Sequence, residues 1–180
     1  MKKLLIVVDM QNDFITGSLG TKEAVEIVPK VIKKIKSWCG DIVFTQDTHM
    51  DNYLDINEGK HLPVKHCIKS TDGHNIHHDV LDASLDNEYY GIGSVICYLE
   101  KYTFGSTALP EIIRGHGYDY IELVGLCTDI CVVSNALILK ANYPEITICV
   151  DASCCAGVTP DSHEAAIKTM KMCQINIINQ

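Results

Sequence analysis

The chain has no apolar run approaching the roughly 18 residues that cross a bilayer as a helix. Its opening run, Leu4 to Val8, is cut short by Asp9. It is too brief for the apolar segment of a secretory signal, so MKKLLIVVDMQNDF reads as a first strand and the protein as cytoplasmic. Basic residues are scarce, 15 against 23 acidic for a net charge of −8. That balance argues against a nucleic-acid or anionic-membrane partner. There is no C-x-x-C and no zinc-finger spacing, and the nine cysteines are an odd number in a chain large enough to need no staples. A disulfide framework is therefore not expected, and most of the thiols read as reduced and buried. No repeat, linker or low-complexity segment divides the sequence. What remains is an ordinary globular composition, 47% hydrophobic and 21% charged over 180 residues. We read 1–180 as one domain that buries about 70% of its unfolded surface.

Short apolar runs alternate with helical patterns. Lys3 to Val8, Asp41 to Thr45, Val95 to Glu100, Tyr120 to Val124, Glu145 to Val150 and Ile175 to Ile178 read as strands. Their continuous apolar character is that of strands covered on both faces. Glu23 to Trp38 repeats apolar residues at three and four, with lysines opposite, and Gly40 stops it. Ser106 to Gly117 reads as a further helix, and Thr159-Pro160 opens the last one. The expectation is an α/β fold: a doubly wound, mostly parallel six-stranded sheet with helices on both faces. The segment 48–92 is too long for an ordinary connection and reads as a partly ordered, functional insertion.

The stretch LVGLCTDICVVSN, Leu123 to Asn135, takes a strand through Gly125 into a helix that begins near Cys131. Thr128 or Asp129 can cap that helix. A thiol at a helix start feels the positive end of the dipole, which lowers its pKa, and the free N–H groups there can receive an oxyanion. Taken alone, Cys131 could equally be a buried structural cysteine. However, Asp9, Asp47, Lys101 and the turn before Cys131 each stand at the carboxyl end of a different strand, where open α/β sheets bind ligands. Asp9 can take a proton from the thiol and Lys101 can stabilise the thiolate. No histidine neighbours Cys131 in sequence, so a carboxylate is the natural base.

A second set is Asp47-Thr48-His49, followed by Glu58, His61 and His66. Asp47 and His49 can reach one cation, and His66 with either Glu58 or His61 completes a carboxylate and imidazole shell that suits Zn, Fe or Mn. The same pattern also fits a polar surface loop. His74, His77 and His78 read as solvated loop residues.

These segments resemble the isochorismatase-like cysteine hydrolases, and their nicotinamidase branch in particular, over nearly the whole chain. IVVDMQNDF resembles the family's opening motif, KYTFGST its lysine motif, and VGLCTDICV the segment holding its nucleophile. The resemblance implies a Rossmann-like three-layer fold with Asp9, Lys101 and Cys131 as the catalytic triad. It implies an oxyanion hole from the backbone N–H groups of Cys127 and Cys131, with a cis peptide at Leu126-Cys127, and Phe14 as a substrate-pocket aromatic. TQDTH and LPVKHCIKSTDG resemble the family's metal region, which implies one divalent metal, with Zn as first choice and Fe or Mn as alternatives, held by Asp47, His49 and His66. A third histidine shortly after the first is absent from MDNYL, and Glu58 in NEGK matches the glutamate that other members use, in preference to His61. The tryptophan that nicotinamidases place before the second metal motif is also absent. Here that place reads HLPVKH, and the single tryptophan is Trp38.

The activity implied is metal-assisted amidohydrolysis of a small amide through a thioester, nicotinamide to nicotinate and ammonia. The alternatives are an N-carbamoyl or other small amide substrate on the same scaffold, and, from another class, a thiol redox sensor or metal-binding protein. Relatives of this type form dimers or tetramers, so a homo-oligomer is expected.

Overall fold

The computed structural model describes residues 1–180. Strand β1 (Lys3–Val8) leads through a short α1 (Asn12–Ile15) to α2 (Lys22–Ser37) and β2 (Asp41–Asp47). Helices α3 (Asn57–His61) and α4 (His78–Tyr89) follow, then β3 (Ser94–Lys101), α5 (Ala108–Ile113) and β4 (Tyr120–Leu126). The chain continues with α6 (Val133–Asn142), β5 (Thr147–Ala156), α7 (Pro160–Met172) and β6 (Asn176–Ile178). All six strands pair parallel, in the order β3-β2-β1-β4-β5-β6. The sheet reverses its winding at β1, and this is where ligands gather in doubly wound folds.

β1 shows why its sequence does not alternate. Leu4, Ile6 and Val8 enter a core with residues of α5, α6 and α7, whereas Leu5 and Val7 enter a second core with residues of α2 and α4. A strand buried on both faces can use apolar residues at every position. The other elements follow their local signals. Thr21 caps α2 by accepting from the Ala24 N–H, and Thr159 and Ser162 form a reciprocal capping box on α7. Gly125 has a φ of 116°, and a Cβ there would lie 2.1 Å from the Val8 carbonyl oxygen. Glycine is thus what lets β4 close on β1 one residue before Asp9.

Four features differ from the sequence reading. β5 does not stop near Asp151 but runs on to Ala156. The Asp151 carboxylate accepts from Lys34 at 2.8 Å, Ser153 at 2.8 Å and Asn179 at 2.9 Å, so it is stable inside a strand. The helix read over 106–117 is only Ala108–Ile113. α4 was hidden within 48–92 because it exposes Leu85 and Tyr89, which blurs its apolar stripe. Finally, Cys131 lies in a π-helical turn, Thr128–Val132, that precedes α6, and neither Thr128 nor Asp129 caps a helix. Thr128 instead bonds the His163 ring at 2.8 Å, and Asp129 accepts from the Val158 N–H. No helix is long and apolar enough to cross a membrane.

Candidate active site and metal centre

Parallel register brings the polar strand ends together. Asp47 pairs with Lys101 as the last residues of β2 and β3, and Val8 sits between Thr45 and Gly125. Asp9 follows Val8 with a φ of 47°, a left-handed conformation that aspartate tolerates better than most residues. Its backbone N–H donates to the Thr45 carbonyl at 3.1 Å, and its carboxylate accepts from the Thr45 hydroxyl at 2.6 Å.

Lys101 is the hub. Its fully buried ammonium lies 2.6 Å from Asp9 Oδ2, 3.2 Å from Asp47 Oδ1 and 3.4 Å from Cys131 Sγ. Lys101 bridges the Asp9 carboxylate and the Cys131 thiol. Asp9, Lys101 and Cys131 are thus assembled from three strand ends into one contact group. The Leu126-Cys127 peptide is cis, and the Cys127 carbonyl accepts from the Ile130 and Val132 N–H groups, which turns the chain at Cys131.

The electrostatics correct one sequence expectation. Burial, with the Asp9 and Asp47 charges behind it, pushes the Cys131 thiol well up, against the opposing pull of Lys101. The helix terminus therefore does not supply a free thiolate, and deprotonation of Cys131 requires a base at hand. Burial likewise raises Asp9 above the ordinary carboxylate value, although the Lys101 charge works against it. Lys101 is itself held firmly protonated: burial opposes its charge, but Asp9, Cys131 and Asp47 outweigh that.

Beside this group, Asp47, His49, Glu58 and His66 offer one ligand atom each, all within 4.8 Å of one another. His49 Nε2 lies 3.0 Å from Asp47 Oδ2 and 3.5 Å from Glu58 Oε1, and His66 Nε2 lies 3.5 Å and 3.8 Å from the same two oxygens. Burial favours the neutral Asp47, but hydrogen bonds from both imidazoles and the Lys101 charge overcome it and hold this carboxylate far below its usual range. His66 Nδ1 donates to the Val64 carbonyl at 2.8 Å, which fixes the ring with Nε2 turned toward the two carboxylates; loss of the Nε2 proton frees that nitrogen to ligate a metal. Two imidazole nitrogens and two carboxylate oxygens converging in a largely buried space fit a divalent transition metal. His61 is outside the set. It is exposed, and its Nδ1 bonds the Asn57 carbonyl at 2.8 Å.

Several residues that hold this centre carried no signal in the sequence. The fully buried Gln11 amide accepts from the Asp47 N–H at 2.7 Å and donates to the Asp47 and His74 carbonyls at 2.9 Å each. It clamps the Asp47 backbone from both sides. Backbone bonds His49 N–H to Cys67 C=O (3.0 Å) and Lys69 N–H to His49 C=O (2.8 Å) fasten the two histidine segments together. Tyr53, fully buried, packs its ring against His49 and His66 at 4.6 and 5.0 Å. His74 is not solvated as expected but buried, its Nε2 2.9 Å from the Thr48 hydroxyl. His77, His78 and Asp79 cluster at the start of α4 and are largely exposed. We expect Gln11→Leu to weaken zinc binding by about 10- to 100-fold, the usual loss when an outer-shell partner is removed. Isothermal titration on a variant that keeps its circular dichroism would measure this, and an unchanged affinity would remove Gln11 from the account.

A cavity of about 340 Å³ opens onto both groups, with Phe14, Asp47, Glu58, His66, Cys127 and Cys131 on its walls. Phe14 is 5.5 Å from the His66 ring. A larger and more open depression, about 1010 Å³, lies by Asn12, Asp72 and His77 and does not include Cys131.

The fold and this site together define a class: a parallel α/β enzyme in which an ammonium bridges a carboxylate and a thiol, next to four side chains able to hold a metal. The chain belongs to the isochorismatase family, whose domain model matches residues 3–180. It is 30% identical over 155 residues to a nicotinamidase of Acinetobacter baylyi, covering 74% of this chain and 72% of that one. Among solved structures, a zinc complex of the pyrazinamidase of Pyrococcus horikoshii matches with a TM-score of 0.78 at 28% identity and full coverage of both chains. A nicotinamidase/pyrazinamidase of Bacillus subtilis matches the fold with a TM-score of 0.83 at 24% identity, covering 98% of this chain and 99% of that one.

Proposed function

We propose that this amide hydrolase of the isochorismatase family cleaves nicotinamide to nicotinate and ammonia, with Cys131 as nucleophile. The observation that carries the proposal is the contact of Lys101 with Asp9, Asp47 and Cys131, which joins a thiol, a base and a metal set at one cavity. The nicotinamidase relatives support the choice of substrate.

In this mechanism Asp9 accepts the Cys131 proton as the sulfur attacks the carboxamide carbon. The backbone N–H groups of Cys127 and Cys131 receive the oxyanion. Asp9 returns the proton to the departing ammonia, leaving a thioester on Cys131. It then takes a proton from water as the water attacks that thioester, and nicotinate and the free thiol result. The Lys101 charge favours the ionised form of Asp9, against its burial, and offsets negative charge on sulfur. Phe14 forms part of the wall against which the ring is held. Asp47, His49, Glu58 and His66 are the ligands in this reading. These four would hold a divalent metal, zinc in the first instance, which would supply Lewis-acid chemistry to the substrate ring.

The proposal is tested by ammonia release from nicotinamide, followed against pH and added zinc. Asp9 must be unprotonated to act, and its pKa is raised, so activity is lost as pH falls through that raised value. We therefore expect the acid limb of kcat/KM above the ordinary aspartate value of about 4. No ammonia from nicotinamide at any pH or zinc concentration would overturn the choice of substrate.

A further inference from the structure

The walls of the reaction cavity change character from floor to mouth. Its floor is closed: Asp47, His66 and Cys131 are 2%, 3% and 4% exposed. Its rim is formed by Leu62, Phe104 and Val158, exposed by 38%, 45% and 50%. These three side chains come from separate loops, after α3, β3 and β5, and the Val158 loop is tied to the nucleophile turn through Asp129. The rim's three side chains are apolar, with the Asp129 carboxylate behind the Val158 backbone and Glu58 lower on the cavity wall. Apolar groups that converge from three loops on the mouth of a pocket form a wall suited to an apolar part of its ligand.

The floor groups account for a carboxamide and a ring nitrogen. They leave the rim without an occupant. The cavity, at about 340 Å³, falls in the range that encloses drug-sized ligands. A cavity of about 150 Å³ is enough for one benzene-sized ring, so a single pyridine ring leaves part of this one unfilled. From this geometry, and resting on the amidohydrolase reading above, we propose that the preferred substrates are aromatic carboxamides bearing an uncharged, apolar substituent that reaches Leu62, Phe104 and Val158. The chemistry is unchanged: carboxamide and water give carboxylate and ammonia. Only the group attached to the ring differs. A carboxylate at that place would face three apolar side chains, with the carboxylates of Asp129 and Glu58 as the charges around it, and would be rejected.

The test compares kcat/KM for nicotinamide, 5-propylnicotinamide and 5-carboxynicotinamide on the zinc-loaded enzyme. We expect the propyl compound to be turned over at least as well as nicotinamide, and the carboxy compound at least about tenfold worse than the propyl, as apolar pockets discriminate. We expect Val158→Asp to lower the propyl-to-nicotinamide ratio by about tenfold, with circular dichroism showing that the variant folds. Turnover of nicotinamide with a lower kcat/KM for the propyl compound would overturn the inference while leaving the amidohydrolase reading intact. Inactivity on all three would overturn both.

Discussion

Cys131→Ala is expected to lower kcat for nicotinamide by about 10⁴- to 10⁶-fold, the scale seen when the nucleophile of a covalent hydrolase is removed. Zinc binding should be preserved, because none of the four ligand residues contacts the substituted atom in the distances above. The effect follows from the geometry. Cys131 Sγ lines the cavity and lies 3.4 Å from the Lys101 ammonium, which in turn holds the Asp9 carboxylate at 2.6 Å. Without it, Asp9 would have to drive direct attack by water, with no thioester to divide the barrier. Asp9→Asn should come close to the same loss, since the buried thiol is held neutral and has no other base beside it. The two losses should not add in the double variant, because the pair acts as a unit. Steady-state kinetics of the three variants decides this, and a Cys131→Ala enzyme with more than about a tenth of native kcat would rule out covalent catalysis.

Lys101→Met is the substitution with the largest expected structural consequence. The ammonium is fully buried between Asp9 and Asp47, so its removal leaves two carboxylates with no shared cation. Breaking such a buried pair costs about 3–5 kcal/mol. In a chain of this size, where each kcal/mol shifts Tm by about 2–4 °C, this corresponds to a drop of roughly 10 °C. The sign of its pH dependence is fixed. Losing Lys101 raises the folded-state pKa of Asp9 further above its unfolded value. The variant's deficit is then smallest at acid pH, where Asp9 can be protonated, and grows as pH rises through the raised pKa. Thermal unfolding of the metal-free protein at about pH 5 and pH 8 measures it, and an equal deficit at both would contradict the ion-pair account.

Much of the scaffold and most of the site's first contacts were readable from the sequence, and the reason is local. Asp9, Asp47 and Lys101 end continuous apolar runs, and in a parallel sheet strand ends on one edge share a space. His49, Glu58 and His66 were readable as donor chemistry at workable spacing. The structure sets Glu58 rather than His61 among the donors, because α3 turns Glu58 inward with Gly59 packed on the Tyr53 carbonyl. What was not legible depends on partners distant in sequence. Gln11 looks like any loop glutamine until the Asp47 backbone lies alongside it. Asp151 reads as a strand terminator until Lys34, Ser153 and Asn179 surround it. Position at a helix start suggested a lowered Cys131 pKa, but local sequence cannot register the burial and the two carboxylates that raise it. The absence of a pocket tryptophan was visible at HLPVKH, whereas the apolar rim of Leu62, Phe104 and Val158 emerged only from the folded chain.

The central claim is that Cys131 carries the substrate's acyl group. Mass spectrometry of the intact, zinc-loaded enzyme, acid-quenched during turnover of nicotinamide and then digested, tests it most directly. The account predicts a nicotinoyl adduct on the peptide containing Cys131, absent from Cys131→Ala and lost when substrate is exhausted. Ammonia released at the native rate with no acyl group on Cys131 at any quench time would contradict it.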